Sequence, residues 1–182
     1  KAKKNKPICI DEVEISDEVR NDTGDGEFNR VSGGGIVPGS LTLIGGEPGI
    51  GKSTLILQIV LNIRNKRTLY ISGEESTRQL KLRADRLSNS SNPNCFIVSE
   101  TSLEQIFVHI QNIKPDLVVI DSIQTISTEM AESSPGSVTQ VRECSAAILK
   151  YAKESGVPVI LIGHINKDGH IAGPKVREHI VD

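Results

Sequence analysis

The run Gly46-Glu47-Pro48-Gly49-Ile50-Gly51-Lys52-Ser53 fits the spacing G-x-x-x-x-G-K-[ST] without a mismatch. Each residue type in it suits the cradling of phosphate. Glycines let backbone N–H groups turn inward and approach phosphate oxygens closely. A helix that starts near Gly51 adds its positive end. Lys52 then reaches the β- and γ-phosphates, the Ser53 hydroxyl ligates Mg²⁺, and Thr54 lies where it can touch the α-phosphate. The expected cofactors are ATP and Mg²⁺. A chance match in a glycine-rich turn is the competing explanation, and the surrounding chain argues against it.

Hydrolysis needs a metal-holding carboxylate and a group that orients and deprotonates water. Leu117-Val118-Val119-Ile120-Asp121 is an apolar run ending in an acid, which places Asp121 in the Mg²⁺ shell, with Ser122 beside it. Gly73-Glu74-Glu75 follows a second apolar run, Thr68–Ser72. Glu74 is the candidate base and Glu75 the runner-up; as a plainer alternative, both acids merely favour the first turn of the next helix. Gly163-His164-Ile165-Asn166-Lys167 closes a third such run, and His164 there is a candidate sensor of the γ-phosphate. An ordinary exposed strand-end histidine is its alternative.

These residues need a scaffold that brings strand ends together. The sequence predicts strands at 40–45, 68–72, 95–98, 117–121 and 157–162. Between them it predicts helices over 53–64 (with Leu55, Ile59 and Ile63 on one face), 76–87, 102–113 and 138–155. Ser76 or Glu75 is the expected start of the second helix, and Thr101 or Ser102 that of the third. Continuous apolar strands alternating with helices mark an α/β fold, a mostly parallel twisted sheet with helices on both faces. In such a sheet ligands sit at the carboxyl ends of the strands, where all the candidate residues fall.

Composition sets the outer limits. The chain has 182 residues, room for one α/β domain. Aromatics are 3% and Trp is absent, so the core must be aliphatic. A net charge of -2 excludes a uniformly basic nucleic-acid binder and confines any such contact to a local patch. Cys9, Cys95 and Cys144 follow no metal spacing and read as free thiols of a reducing, cytoplasmic setting. No apolar run approaches the ~18 residues of a membrane span, so no membrane role is expected. Residues 1–26, lysine-rich at the start, read as a flexible or poorly defined lead-in, and 27–182 as the core of a longer protein.

A P-loop strand and helix followed by a strand ending in Glu mark the RecA-like branch of P-loop NTPases. The resemblance is closer still in Phe28–Ser40, Tyr70-Ile71-Ser72-Gly73-Glu74-Glu75-Ser76, Ile120-Asp121-Ser122-Ile123-Gln124, Ser134–Glu143, Gly163–Gly169 and Ala172-Gly173-Pro174-Lys175-Val176. Together they resemble the bacterial RadA (Sms) family over roughly residues 27–182. That resemblance implies a DNA-dependent ATPase of recombinational repair, a homo-oligomeric, hexameric ring promoting branch migration on single-stranded DNA. It also implies a four-cysteine zinc module, a Lon-protease-like domain and a K-N-R-F-G block outside this stretch. In RecA-like rings two loops line the channel, here about Thr125–Ser137 and Lys167–Lys175. Lys167, Lys175 and Arg177 are the candidate DNA contacts, suited to tracking phosphates rather than reading bases. A small-molecule kinase, a clock-type or signalling switch ATPase, and a non-enzymatic DNA-binding subunit are the competing classes. The first needs an Arg-rich lid that the sequence does not display.

Overall fold

The computed structural model describes Gly26, Asn29 and residues 35–47, 51–88, 91–164 and 178–180, the last three as backbone. Six strands make one sheet: β1 Leu41–Gly46, β2 Thr68–Ser72, β3 Cys95–Ser99, β4 Leu117–Asp121, β5 Val159–His164 and β6 Glu178–Ile180. Among the described residues four α-helices link β1 through β5: α1 Lys52–Asn62, α2 Thr77–Leu87, α3 Leu103–Ile113 and α4 Val138–Ser155. The strand order is β3-β2-β4-β5-β1-β6, and every neighbouring pair is parallel.

Side chains of a strand alternate between faces, so each strand feeds two cores. Leu69, Ile71, Val118, Ile120, Val159 and Leu161 pack with α3 and α4 on one face. Tyr70, Val119, Ile160 and Ile162 pack with α1 and α2 on the other. Burial on both faces is why β2 and β4 are buried at every position and read as unbroken apolar runs.

The helix ends follow local chemistry. Ser76 starts α2 with a capping box, its hydroxyl accepting from the Gln79 N–H while the Gln79 side chain accepts from the Ser76 N–H. Ser102 and Ser137 cap α3 and α4 in the same sense, accepting from Gln105 and Gln140 N–H. Gly156 ends α4 in a left-handed conformation at φ 74°.

Three expectations shift. β5 runs two residues later than 157–162, because Pro158 has no N–H for the ladder and β1 carries the pairing on to Gly46↔His164. α1 buries Ile56, Leu57, Ile59 and Val60, while Leu55 is only half-buried. The helix rests against both the sheet and α2, so its apolar stripe is wider than a single row. The short strand β6, not foreseen, pairs with β1 through Leu43↔Glu178 to Gly45↔Ile180. The lead-in 1–25 and the basic loop 167–175 lie outside the described residues.

Candidate nucleotide-binding site

The sheet register gathers the candidate residues. Gly46 pairs with His164, Asp121 with Ile162, and Ser72 with Asp121. The carboxyl ends of β2, β4, β5 and β1 thus stand side by side.

At the end of β1, Gly51 is the N-cap of α1 with φ 76°, and no side chain caps the helix. The first helical bond runs from Leu55 N–H to Gly51 C=O. The N–H groups of Lys52, Ser53 and Thr54 therefore lie outside the helical ladder, at the positive end of the helix dipole, and no acid stands in the first turn. Ser53 and Thr54 are half-buried there. Lys52 is 9% exposed, and its ammonium donates to the Glu47 carbonyl at 2.5 Å. Burial pulls the Lys52 pKa down, and the carboxylates of Asp121 and Glu47 partly oppose it. A Cβ on Gly46 would sit 3.1 Å from Lys52 Cδ, so glycine there lets the lysine cross the strand end. Pro48, Gly49 and Ile50 of the loop lie outside the described residues.

Asp121 ends β4 and is 7% exposed. Tyr70 donates its hydroxyl to Asp121 Oδ2 at 2.7 Å. One hydroxyl (Ser53) and one carboxylate (Asp121) are hard oxygen donors of the kind Mg²⁺ takes beside substrate phosphates. Among the described residues no three His, Cys, Asp or Glu side chains form a metal cage, and a nucleotide-bridging Mg²⁺ needs none. The donor set fits that ion, which Ser53 and Asp121 would hold and which would neutralise phosphate charge.

Past β2, Gly73 N–H donates to the Asp121 carbonyl at 2.8 Å and extends the ladder one step. Ser72 Oγ then accepts from the N–H groups of Glu74 (3.3 Å) and Glu75 (3.0 Å), a turn that sends the two acids different ways. Glu75 pairs with Arg83 of α2 at 3.0 Å. Glu74, 53% exposed, faces the ends of β4 and β5: its Oε1 is 3.4 Å from both Ser122 Oγ and His164 Nε2. The backbone of His164 is fixed by Gln124, whose amide accepts from His164 N–H at 3.2 Å and donates to its carbonyl at 3.0 Å. Thr125 packs so close to Gly73 that a Cβ on that glycine would meet Thr125 Oγ1 at 1.9 Å.

Lys52, Glu74, Asp121 and His164 thus gather at adjoining strand ends, with Ser53 and Thr54 in the first turn of α1, whereas Glu75 turns toward α2. The sequence reading did not assign roles to Tyr70, Arg83 or Gln124. A lone tyrosine in an aliphatic strand and the amide after Ile123 were the signals available. The candidate DNA contacts Lys167, Lys175 and Arg177 lie outside the described residues.

The family model described as AAA domain matches residues 11–170. The DNA repair protein RadA of Bacillus subtilis (strain 168) is 54% identical over 179 residues, 97% of this chain and 39% of that protein. The RadA of Halalkalibacterium halodurans is 52% identical over 179 residues and that of Listeria monocytogenes 49% over 180, again covering 39% of each relative. The chain thus spans about two fifths of the length of these relatives. No helix among the described residues is long and apolar enough to cross a membrane. With its parallel sheet, adjoining strand ends and P-loop sequence, the chain belongs to the AAA domain family, as a RecA-like α/β domain similar to DNA repair proteins named RadA.

Proposed function

We propose that this domain is the Mg²⁺-dependent ATP-hydrolysing core of a DNA repair protein. The observation that carries this reading is the meeting of Lys52, Asp121, Glu74 and His164 at adjoining ends of parallel strands. Lys52 and the first-turn N–H groups of α1 bind the phosphates, with the loop Gly46–Ser53 around them. Ser53 and Asp121 hold Mg²⁺, and Thr54 contacts the α-phosphate. Glu74 orients the attacking water and takes its proton; its exposure leaves it open to solvent water, and Ser122 and His164 steady its Oε1. Glu75 is tied to Arg83 and acts as a structural acid. His164 reads the γ-phosphate and passes its state to the chain that follows.

In the longer protein the reading extends to DNA. Repair proteins named RadA are the relatives, so single-stranded DNA is the proposed partner and branch migration of recombination intermediates the proposed task. A hexameric ring is the proposed assembly, with Lys167, Lys175 and Arg177 contacting DNA phosphates. Phosphate release with and without single-stranded DNA tests this. Stimulation by DNA in a longer chain is expected, together with loss of turnover and weakened ATP binding in Lys52→Ala. Unchanged ATP affinity and turnover in Lys52→Ala would remove the site assignment.

A further inference from the structure

Tyr70 stands in β2 opposite Val119 of β4. Side chains repeat with a period of two along a strand, so Val119 and Asp121 share the face that Tyr70 occupies. Asp121 is therefore the diagonal neighbour of Tyr70 across the ladder, within reach of a long side chain. The ring is fully buried in the core beneath α1 and α2, and only its hydroxyl meets polar atoms. That hydroxyl donates to Asp121 Oδ2 at 2.7 Å, and Arg83 Nη2 approaches it at 3.5 Å. The same guanidinium nitrogen pairs with Glu75. Direction follows from chemistry: a guanidinium only donates and a carboxylate only accepts, so the phenol accepts from Arg83 and gives its proton to Asp121.

We propose that Tyr70 is a positioning residue for the Mg²⁺ site: its buried hydroxyl fixes the Asp121 carboxylate, leaving Oδ1 as the oxygen turned to the metal shell. This rests on the reading of Asp121 as the metal-side carboxylate. A carboxylate without that bond rotates and must be re-ordered at each metal binding event; outer-shell partners of this kind typically change metal affinity by about 10–100-fold. Arg83 and Glu75 extend the chain to α2, so a movement of that helix reaches the metal carboxylate through two hydrogen-bonding groups.

The test is a Mg²⁺ titration of methylanthraniloyl-ADP binding, followed by fluorescence, in the unsubstituted chain, Tyr70→Phe and Asp121→Asn, with metal-free affinity measured in EDTA. Tyr70→Phe is expected to raise the Mg²⁺ midpoint about tenfold or more, with metal-free affinity unchanged. A merely structural role would weaken Mg²⁺ binding and metal-free nucleotide binding together, and that result overturns the proposal. An unmoved midpoint in Tyr70→Phe beside a raised one in Asp121→Asn also overturns it. Unmoved midpoints in both variants remove the metal role of Asp121 and the proposal with it. If phenylalanine prevents folding, the unsubstituted chain serves, since it has only two tyrosines. The Tyr70 hydroxyl proton should then give a slowly exchanging NMR resonance that moves when Mg²⁺ joins bound ADP; an unresponsive resonance overturns the proposal.

Discussion

At the residue scale, adjacent Glu74 and Glu75 differ by what they touch. Glu75 is held by a guanidinium, while Glu74, among the described residues, reaches Ser122 and His164 and remains half in solvent. Glu75→Gln should therefore lower thermal stability, by about 0.2–1 kcal/mol for a partly exposed ion pair, with little change in turnover; a melting curve beside a phosphate assay checks both. Gly73 precedes the pair and has no room for a methyl group against Thr125. Gly73→Ala should cost about 1–3 kcal/mol through overpacking and misplace Glu74 as well. Wild-type stability in that variant would mean that Thr125 yields easily. The spacing around Lys52 was legible because the phosphate loop is a local motif. The split between Glu74 and Glu75 was not, because it depends on Arg83 from the next helix and on Ser122, just past a strand far along the chain.

At the scale of elements, the stretch after β4 is held by two side chains from different helices. Gln140, 2% exposed in α4, accepts from Thr128 N–H and shares its amide protons among the carbonyls of Thr128, Ala131 and Ser133. Glu104 of α3 accepts from the Thr128 hydroxyl and the Glu129 N–H. The hydrogen bond from Thr128, with those from backbone N–H groups, holds the Glu104 pKa below its usual value, against burial. A depressed carboxylate contributes stability above its unfolded value and loses it as pH falls through the folded one. Amide-exchange protection at Glu129 should accordingly fall as the pH drops below the ordinary carboxylate range. Glu104→Gln should remove that dependence; a pH response that persists in the variant would point to another acid. Gln140→Ala should cost about 1–3 kcal/mol, since it leaves buried backbone groups unpaired. The strand at Leu117–Asp121 and the helix at Val138–Ser155 were readable to the residue, because an acid or a serine cap punctuates each. β6 was not readable: three residues with no apolar run carry no periodic signal, and their pairing with β1 is settled in three dimensions.

At the scale of the whole molecule, the sheet order places β4 and β5 between β2 and β1, so the candidate groups stand at or just past adjoining strand ends. The aliphatic core expected from scarce aromatics is what forms on both faces, with Tyr70 the one tyrosine fully inside. A longer chain that includes the flanking parts of the protein should form rings and show DNA affinity that falls steeply with salt, because its contacts are to phosphates. Lys167→Ala with Lys175→Ala should lower both the affinity and the salt slope; salt-independent binding would contradict the proposed contacts. The most direct test of the central claim is single-turnover phosphate release at saturating Mg·ATP, comparing the unsubstituted chain with Glu74→Gln. The account predicts retained Mg·ATP binding and hydrolysis slowed by about 10²-fold or more. An unchanged rate in Glu74→Gln, or a larger loss in Glu75→Gln, would contradict it.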